Sequence, residues 1–520
     1  SNIGYAVTSA GRTIKTIEGG AHWFNEQRLS TSSSVTSIMP LDEQSFVVVG
    51  PSSKLVKTQD DPGRFTTRFW YDELGRQILS QDAEQFKNDK YSFTHYDALG
   101  RVYLTGEATS SIKPIEYANM KSRVNDSDLY KFLVASDLSQ ITYTYFDTAY
   151  VSGIPGFTQH NLRNRVSSVY YCPGNDWVYT HATHYSYDVH GNVSTLIQEV
   201  PSLSAFGAQY KRIDYTYDLI SNKVTKMVYQ KGQEDQFAHR YSYDDDNRVI
   251  TVETSKDLLV WNPEASYNYY RHGPLARVDV GGSLQGMDYT YTLQGWLKAV
   301  NNPQLTPSND PGEDGANTHS IADEFGFTLG YYPGDYQPIS STAPFTSPTM
   351  PRTTGTGSTG DSLFNGNISA MVTSVASLAN TKSATPTIGM SYRYDQLNRL
   401  VASNSHVTGT SSWTRRDIYD EKFSYDANGN ILTLKRNAPV ANGNGTVSSM
   451  IDDLSYKYYD NTYYNGRNTN RLRVVNDNIS NSGYTEDVKN QTTQDNYRYD
   501  ASGNLKSDAS EEISEITWNL

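Results

Sequence analysis

Carboxylates, histidines and hydroxyls in this 520-residue chain fall into a few groups whose spacing could support chemistry. Aspartate follows tyrosine at Asp72, Asp97, Asp188, Asp218, Asp244, Asp395, Asp426 and Asp500, and paired carboxylates are the machinery of glycoside hydrolysis. That reaction needs two groups positioned against one bond, so a long series of equivalent ones points to a structural part instead. "HATHYSYDVH" supplies His181, His184 and His190, which are ligand types for zinc, yet residues three apart on a strand point to opposite faces. "NDPGEDG" places Asp310, Glu313 and Asp314 in one loop that could gather oxygens for calcium, but without the alternating ligand spacing of a calcium loop. Asp244, Asp245 and Asp246 read as a solvated turn tip, and no G-x-S-x-G nucleophile elbow occurs. The expectation is a chain without catalytic residues, without a cofactor and without a metal.

The elements that carry the repeated aspartate explain it better than chemistry does. "YDELGR" at Tyr71 returns as "YDALGR" at Tyr96, "YDVHGN" at Tyr187, "YDLISN" at Tyr217, "YDDDNR" at Tyr243, "YTLQGW" at Tyr291, "YDQLNR" at Tyr394, "YDANGN" at Tyr425 and "YDASGN" at Tyr499. Close neighbours start 25 to 31 residues apart, a period that marks an array. "YRHGPLARVDV" from Tyr270 and "NRLRVV" from Asn470 are candidate degenerate units. In most units a second aromatic stands two residues before the tyrosine, as in Tyr185/Tyr187, Tyr241/Tyr243, Tyr392/Tyr394, Phe423/Tyr425 and Tyr497/Tyr499, which puts both rings on one face of a strand. Asp at the first turn position can accept from backbone two residues on. The fourth position is Gly75, Gly100, Gly191, Gly295, Gly429 or Gly503, or else Asn247 or Asn398, the residues that best tolerate a left-handed backbone. Ser221 breaks that rule. Arg76, Arg101, Arg248, Arg399 or an Asn follows, and then apolar residues such as Val102, Val193, Val249 and Ile431 begin a return strand. Each unit reads as a β-hairpin.

Composition limits what a row of hairpins can build. Counted with glycine and without tyrosine, apolar residues make up about 36% of the chain, against a usual 45–50%. The 12% aromatic content nevertheless argues against disorder. The expected architecture is all-β: one long antiparallel sheet, a single wall thick, with tyrosine-rich faces and almost no helix. Cys172 is the only cysteine, so no internal disulfide framework exists. A formal charge of −13 disfavours nucleic acid as a partner, and no apolar run reaches the roughly 18 residues that a membrane-spanning helix needs. With no signal peptide and no initiator Met, the chain is expected to be an internal piece of something longer.

Residues 1–66 differ from the rest. "GYAVTSAGRTIKTIEGGAHWF" (4–24) aligns with "SFVVVGPSSKLVKTQDDPGRF" (45–65), each match offset by 42 residues near Lys15/Lys57, Thr16/Thr58, Glu18/Asp60 and Trp23/Phe65. The run Thr16, Glu18, Gly19, Gly20, Trp23 resembles an Asp-box hairpin, so this region is expected to be the last blade or two of a β-propeller. Residues 67–520 carry the hairpin array, with loop-rich insertions at about 301–320 and 337–362.

Nine such turns resemble the RHS/YD-repeat family, which includes bacterial polymorphic toxins, the B and C components of insecticidal toxin complexes, and teneurins. "DEFGFTLGYYPGDY" (323–336), "FNGNIS" (364–369) and the ending "YDASGNLKSDASEEISEITWNL" look like the Bacteroidota-style version. The resemblance implies hairpins spiralling into a hollow shell that encloses a C-terminal effector lying beyond Leu520, exported from a Gram-negative cell to the surface or medium with a partner such as the type IX machinery. Paired rings would then face inward and offer hydroxyls to the guest. The Asp-Pro-x-Gly self-cleavage core of many bacterial shells is missing, since "DDPG" (60–63) and "NDPG" (309–312) lack its spacing. The alternative role is a surface adhesion protein that binds glycans or proteins.

Overall fold

A computed structural model describes residues 67–111, 126–149, 153–316, 320–338, 349–351, 362–376, 387–408, 413–442, 445–459, 469–479, 488 and 490–518, together with six short strands among the first 66 residues. Strands take 49% of the described residues and helix 5%. The protein is therefore all-β, built on a long antiparallel sheet in which each strand pairs with its neighbours in sequence. Gly4–Val7, Arg12–Thr16 and Phe24–Arg28 make a separate three-stranded sheet. Ser37–Pro40, Ser45–Val49 and Leu55–Gln59 pair in order, and Leu55–Gln59 pairs onward with Thr67–Tyr71. The ladder thus runs across residue 66. Glu18, Gly19, Gly20, Trp23, Asp60 and Phe65 of the propeller reading lie outside the described residues.

The chain divides into two compact units: residues 1–214, 458–474 and 493–520, and residues 215–457 and 475–492. In the first, Lys90–Tyr96 and Val102–Thr109 form a hairpin, as do His181–Tyr187 and Val193–Glu199. Its apolar core gathers Trp70, Leu79, Phe93 and Ile141 around Leu129, Phe132 and Leu133. Those last three come from a helix, Asp126–Val134, that the hairpin pattern does not foretell. Their i, i+3, i+4 spacing carries the signal. A one-turn helix, Ala83–Lys87, is capped by Asp82, and its Glu84 accepts from the Ala501 N–H at 2.9 Å, which ties the turn before Leu505–Asp508 to the start of the ladder.

In the second unit the ladder runs from Val224–Tyr229 and Phe237–Tyr243 through Gln285–Tyr291, Ile388–Tyr394 and Glu421–Tyr425 to Ile431–Asn442. Both units show the same two-faced strands. In His181–Tyr187 the buried positions are Ala182, His184 and Ser186, and in Gln285–Tyr291 they are Gly286, Asp288 and Thr290. The tyrosines between them stay partly exposed. Small or polar side chains are the more deeply covered on these strands, and Gln159, His160 and Asn161 extend the ladder by bonding to Ser167, Tyr185, Ser186 and Tyr187 on one strand pair. Near Gly389, a Cβ would come within 2.8 Å of both Pro351 and Trp413.

Hairpin turns decide the ladder's path. Gly429 has φ 91°, and a Cβ built on it would meet nothing within 4 Å, so conformation alone demands glycine there. Gly429→Val should cost about 1–3 kcal/mol, the scale of backbone strain in that region, and Gly429→Asn much less. Hydrogen exchange should quicken in Glu421–Tyr425 and Ile431–Asn442 and stay unchanged in Lys90–Tyr96, since an array confines damage to neighbours. Global unfolding would contradict the array.

Candidate functional site

The recurrent feature of this molecule is the Tyr-Asp turn, and its geometry is the same wherever it is intact. Asp72 N–H donates to Arg76 O at 2.9 Å and Gly75 N–H to Asp72 O at 3.0 Å, closing the turn on the main chain. The Asp72 carboxylate then fills the loop: Oδ1 accepts from the N–H groups of Leu74 (2.9 Å) and Arg76 (2.8 Å), while Oδ2 accepts from Arg76 Nε at 2.6 Å. Asp97 with Arg101, Asp244 with Arg248 and Asp395 with Arg399 repeat it, with Nε–Oδ2 distances of 2.7, 2.7 and 2.6 Å. Where Asn replaces Arg, its amide serves: Asn192, Asn430 and Asn504 donate to Asp188, Asp426 and Asp500 at 3.0, 2.7 and 2.9 Å. The fourth position has positive φ at Gly75, Gly100, Gly191, Asn247, Gly295, Asn398, Gly429 and Gly503. At "YDLISN" the turn is one residue longer, so Asn222 (φ 56°) takes that role and Ser221 is relieved of it; Asn222 N–H donates to Asp218 O at 3.0 Å.

A second set of contacts joins each hairpin to the one before. Tyr96 OH donates to Gln77 O, Tyr243 OH to Val224 O and Tyr425 OH to Leu400 O, at 2.9, 2.7 and 2.7 Å. Each acceptor is the first residue of the preceding return strand or close to it. Tyr187 and Tyr394 reach Val166 O and Ile368 O in the same manner, at 2.8 and 3.0 Å. In the degenerate unit at Tyr270 the hydroxyl comes from Tyr269, which donates to Val249 O at 2.9 Å. Burial raises the hydroxyl pKa of Tyr187, Tyr243, Tyr394 and Tyr425, keeping them protonated as donors. The turn arginine completes the joint by lying on the next ring: Arg76 over Tyr96 at 4.4 Å, Arg248 over Tyr269 at 4.4 Å and Arg399 over Tyr425 at 4.7 Å. Arg471, from the "NRLRVV" candidate, lies 5.8 Å over Tyr499 and donates to Asp500 O and Ala501 O at 3.1 and 3.0 Å. The five turn tyrosines Tyr96, Tyr187, Tyr243, Tyr394 and Tyr425 therefore spend their hydroxyl protons within the sheet, and not on a guest as the sequence reading expected. In two of the pairs the second aromatic stacks beside the first, with Tyr185/Tyr187 and Phe423/Tyr425 centroids 6.4 Å apart.

The histidines weighed as zinc ligands are placed apart. His181 is exposed and stacks on Tyr171, His190 lies at a turn tip, and His184 is fully buried. His184 Nδ1 meets Ser168 Oγ and its Nε2 meets Glu199 Oε2, both at 2.9 Å. This Ser–His–Glu arrangement has a hydrolase's membership but no access, because Ser168 and His184 have no exposed surface. Burial holds the imidazole pKa below its usual value despite Glu199. The three form a satisfied interior network.

A group that sequence reading saw only in part lies in the second unit. Arg277 donates through Nε to Asp279 Oδ1 (2.8 Å), through Nη2 to Asp314 Oδ1 (2.6 Å) and through Nη1 to Asp288 Oδ2. Asp310 Oδ2 accepts from the N–H groups of Gly312 and Asp314 at 2.9 and 3.1 Å. Asp323 Oδ1 accepts from Asn301 and Gln285 at 2.8 and 3.1 Å. Burial pushes the Asp288 carboxyl up to about 7, with Arg277 opposing. Burial also raises Asp323, helped by Asp310 facing it. Asp310 and Asp314 were legible as a loop cluster, but Asp288 and Asp323 sit on other segments and no local spacing reveals them.

No protein-family model matches the chain, and no curated protein matches it. Solved structures do. The crystal structure of TcdB2-TccC3 without its hypervariable C-terminal region is 11% identical over 97% of this chain, with a TM-score of 0.39. The Photorhabdus luminescens Tc holotoxin pore is 11% identical over 97% of this chain, with a TM-score of 0.17. A porin-like protein from Bacteroides uniformis is 7% identical over 71% of this chain and 89% of its own, with a TM-score of 0.17. This chain spans 27% and 29% of the two toxin chains. None of these likenesses assigns it a function. Among the described residues no helix is long and apolar enough to cross a membrane.

The turn carboxylates set an acid limit. Asp72, Asp97, Asp188, Asp244, Asp395 and Asp426 all sit below the usual carboxylate range. At Asp244 the chief cause is the Arg248 side chain, and at Asp395 the Arg399 N–H; at Asp72 partial burial acts upward, but the Arg76 N–H and guanidinium outweigh it. A lowered folded pKa gives stability that is present above the unfolded value of about 3.9 and lost as pH falls through the folded values. Unfolding by acid, followed by circular dichroism, should therefore begin only below about pH 4. Asp72→Ala leaves the Leu74 and Arg76 N–H groups without their acceptor and should cost about 1–3 kcal/mol in urea unfolding.

Proposed function

We propose that residues 67–520 are a non-catalytic enclosing wall of a secreted toxin-type protein, and that the guest is an effector segment of the same polypeptide beyond residue 520. One observation carries the reading: a long ladder of hairpins presents rows of paired, partly exposed rings along one side of its strands, with small or polar buried residues on the other, as in His181–Tyr187 and Gln285–Tyr291. Such rows give large contact area without a sealed apolar core, which suits a guest that is incompletely folded and varied in sequence. Tyr96, Tyr187, Tyr243, Tyr394 and Tyr425 have spent their hydroxyl protons but keep an acceptor lone pair for a guest's donors. A wall whose joints all lie between successive hairpins can also be lengthened without redesign. Export by partner machinery of the type IX class, and a location outside a Gram-negative cell, belong to the same proposal.

The test is to express the complete polypeptide with and without residues 67–520 and to measure toxicity and protease resistance of the segment that follows. The expected result is protection and silence with the wall present, and digestion or early toxicity without it. Equal protection and equal silence in both would end the enclosing role and transfer the reading to adhesion, which glycan and protein binding by the intact chain would then test.

A further inference from the structure

The carboxylates of Asp288, Asp310, Asp314 and Asp323 are all buried, with residue exposures of 5%, 2%, 1% and 6%. The cation bonded to this group is Arg277, and it is also shared with Asp279. One guanidinium offsets a single negative charge, so the buried carboxylates beyond it need a proton or a further cation. The hydrogen bonds leave a specific gap. Among the described residues nothing donates to Asp310 Oδ1 or Asp314 Oδ2, which are buried, whereas Asp310 Oδ2 and Asp314 Oδ1 are engaged. Asp310 and Asp323 also face each other, a contact that holds only with a proton or a cation between the oxygens. Asp288, Asp310 and Asp314 each present one oxygen such that the three lie within 4.8 Å of one another.

We propose that Asp288, Asp310 and Asp314 bind one hard divalent cation of the calcium type, fastening the 301–320 insertion to strand Gln285–Tyr291. The three donors are carboxylate oxygens, with no nitrogen or sulfur to favour zinc or another transition metal. Calcium takes six to eight oxygens in irregular arrangements and can complete its shell with carbonyls and water, whereas magnesium demands a strict octahedron and keeps its own water. Arg277 holds Asp288 Oδ2 and Asp314 Oδ1 and so fixes both side chains, leaving Asp314 Oδ2 without a donor among the described residues. Room for that guanidinium comes from Gly286 and Gly312, where any Cβ would collide with Arg277. The sequence hid the site because two ligands sit four apart in a loop while the third stands on a strand 22 residues earlier.

The test uses the full chain stripped with a chelator and titrated with calcium chloride by calorimetry, alongside thermal unfolding with calcium or magnesium. The expected result is one site per chain, a rise in Tm with calcium that magnesium at equal concentration does not match, and at least tenfold weaker binding in Asp310→Asn and in Asp314→Asn. Glu313→Gln, in the same loop but outside the cluster, should bind as the native chain does. Absence of calcium binding by the folded native chain overturns the proposal, whatever the variants do. Undiminished binding in folded Asp310→Asn and Asp314→Asn overturns it equally. If those variants fail to fold, Asp288→Asn takes their place under the same criterion, and if it also fails the comparison of calcium with magnesium on the native chain decides.

Discussion

Everything in the ladder depends on one carboxylate satisfying a turn that the backbone cannot satisfy alone. A type I turn that leads into a left-handed residue leaves N–H groups pointing into the loop, and unpaired N–H groups are costly wherever water is scarce. The aspartate at the first position accepts two of them with one oxygen and gives its second oxygen to the arginine or asparagine that ends the turn. That choice has a consequence one hairpin away. An arginine held by its own turn has a fixed plane, and the next tyrosine packs against it while sending its hydroxyl back to the earlier return strand. Fixing one side chain thereby fixes the distance between successive hairpins.

Much of this was legible in the sequence because the module is local. Asp, Gly or Asn at the fourth position, and Arg or Asn after it, lie within six residues, so their spacing reports their geometry directly. The all-β class and the antiparallel order follow from repeating it. The partner of the tyrosine hydroxyl was not legible, because its acceptor is a backbone carbonyl about 19 to 26 residues earlier, and every residue has one. Nor was the covered face. Its residues are small or polar, such as Ala182, Ser186 and Gly286, and carry too little apolar surface for hydropathy to mark the face as a core. The helix Asp126–Val134 shows the opposite failure, since Leu129, Phe132 and Leu133 had a helical period that a search tuned to hairpins passes over.

The insertions present a different mechanical problem, and the structure meets it with different chemistry. Hairpin joints reach only the adjacent hairpin, so an excursion such as the 301–320 insertion, or the turn at 330–336, gains nothing from them. Each excursion here is fastened by buried charge instead. Lys298, 1% exposed, donates to Asp335 Oδ1 at 2.7 Å, and Asp335 Oδ2 takes the Tyr331 N–H at 2.8 Å, which closes the Tyr-Tyr-Pro-Gly-Asp turn on the strand before it. Arg277 does the same for the loop that carries Asp310 and Asp314. The two fastenings differ in balance. Lysine against one aspartate is neutral and complete, with both oxygens of the acid bonded. Arginine against several acids is not, and two of the oxygens it leaves over are buried without a donor. A buried ion pair contributes little net stability but costs several kcal/mol to break from one side, so both fastenings act chiefly to hold one geometry. For the second to hold its geometry at neutral pH, protons or a further cation must offset the carboxylates that Arg277 leaves over, and the two oxygens without a donor are where a cation would fit.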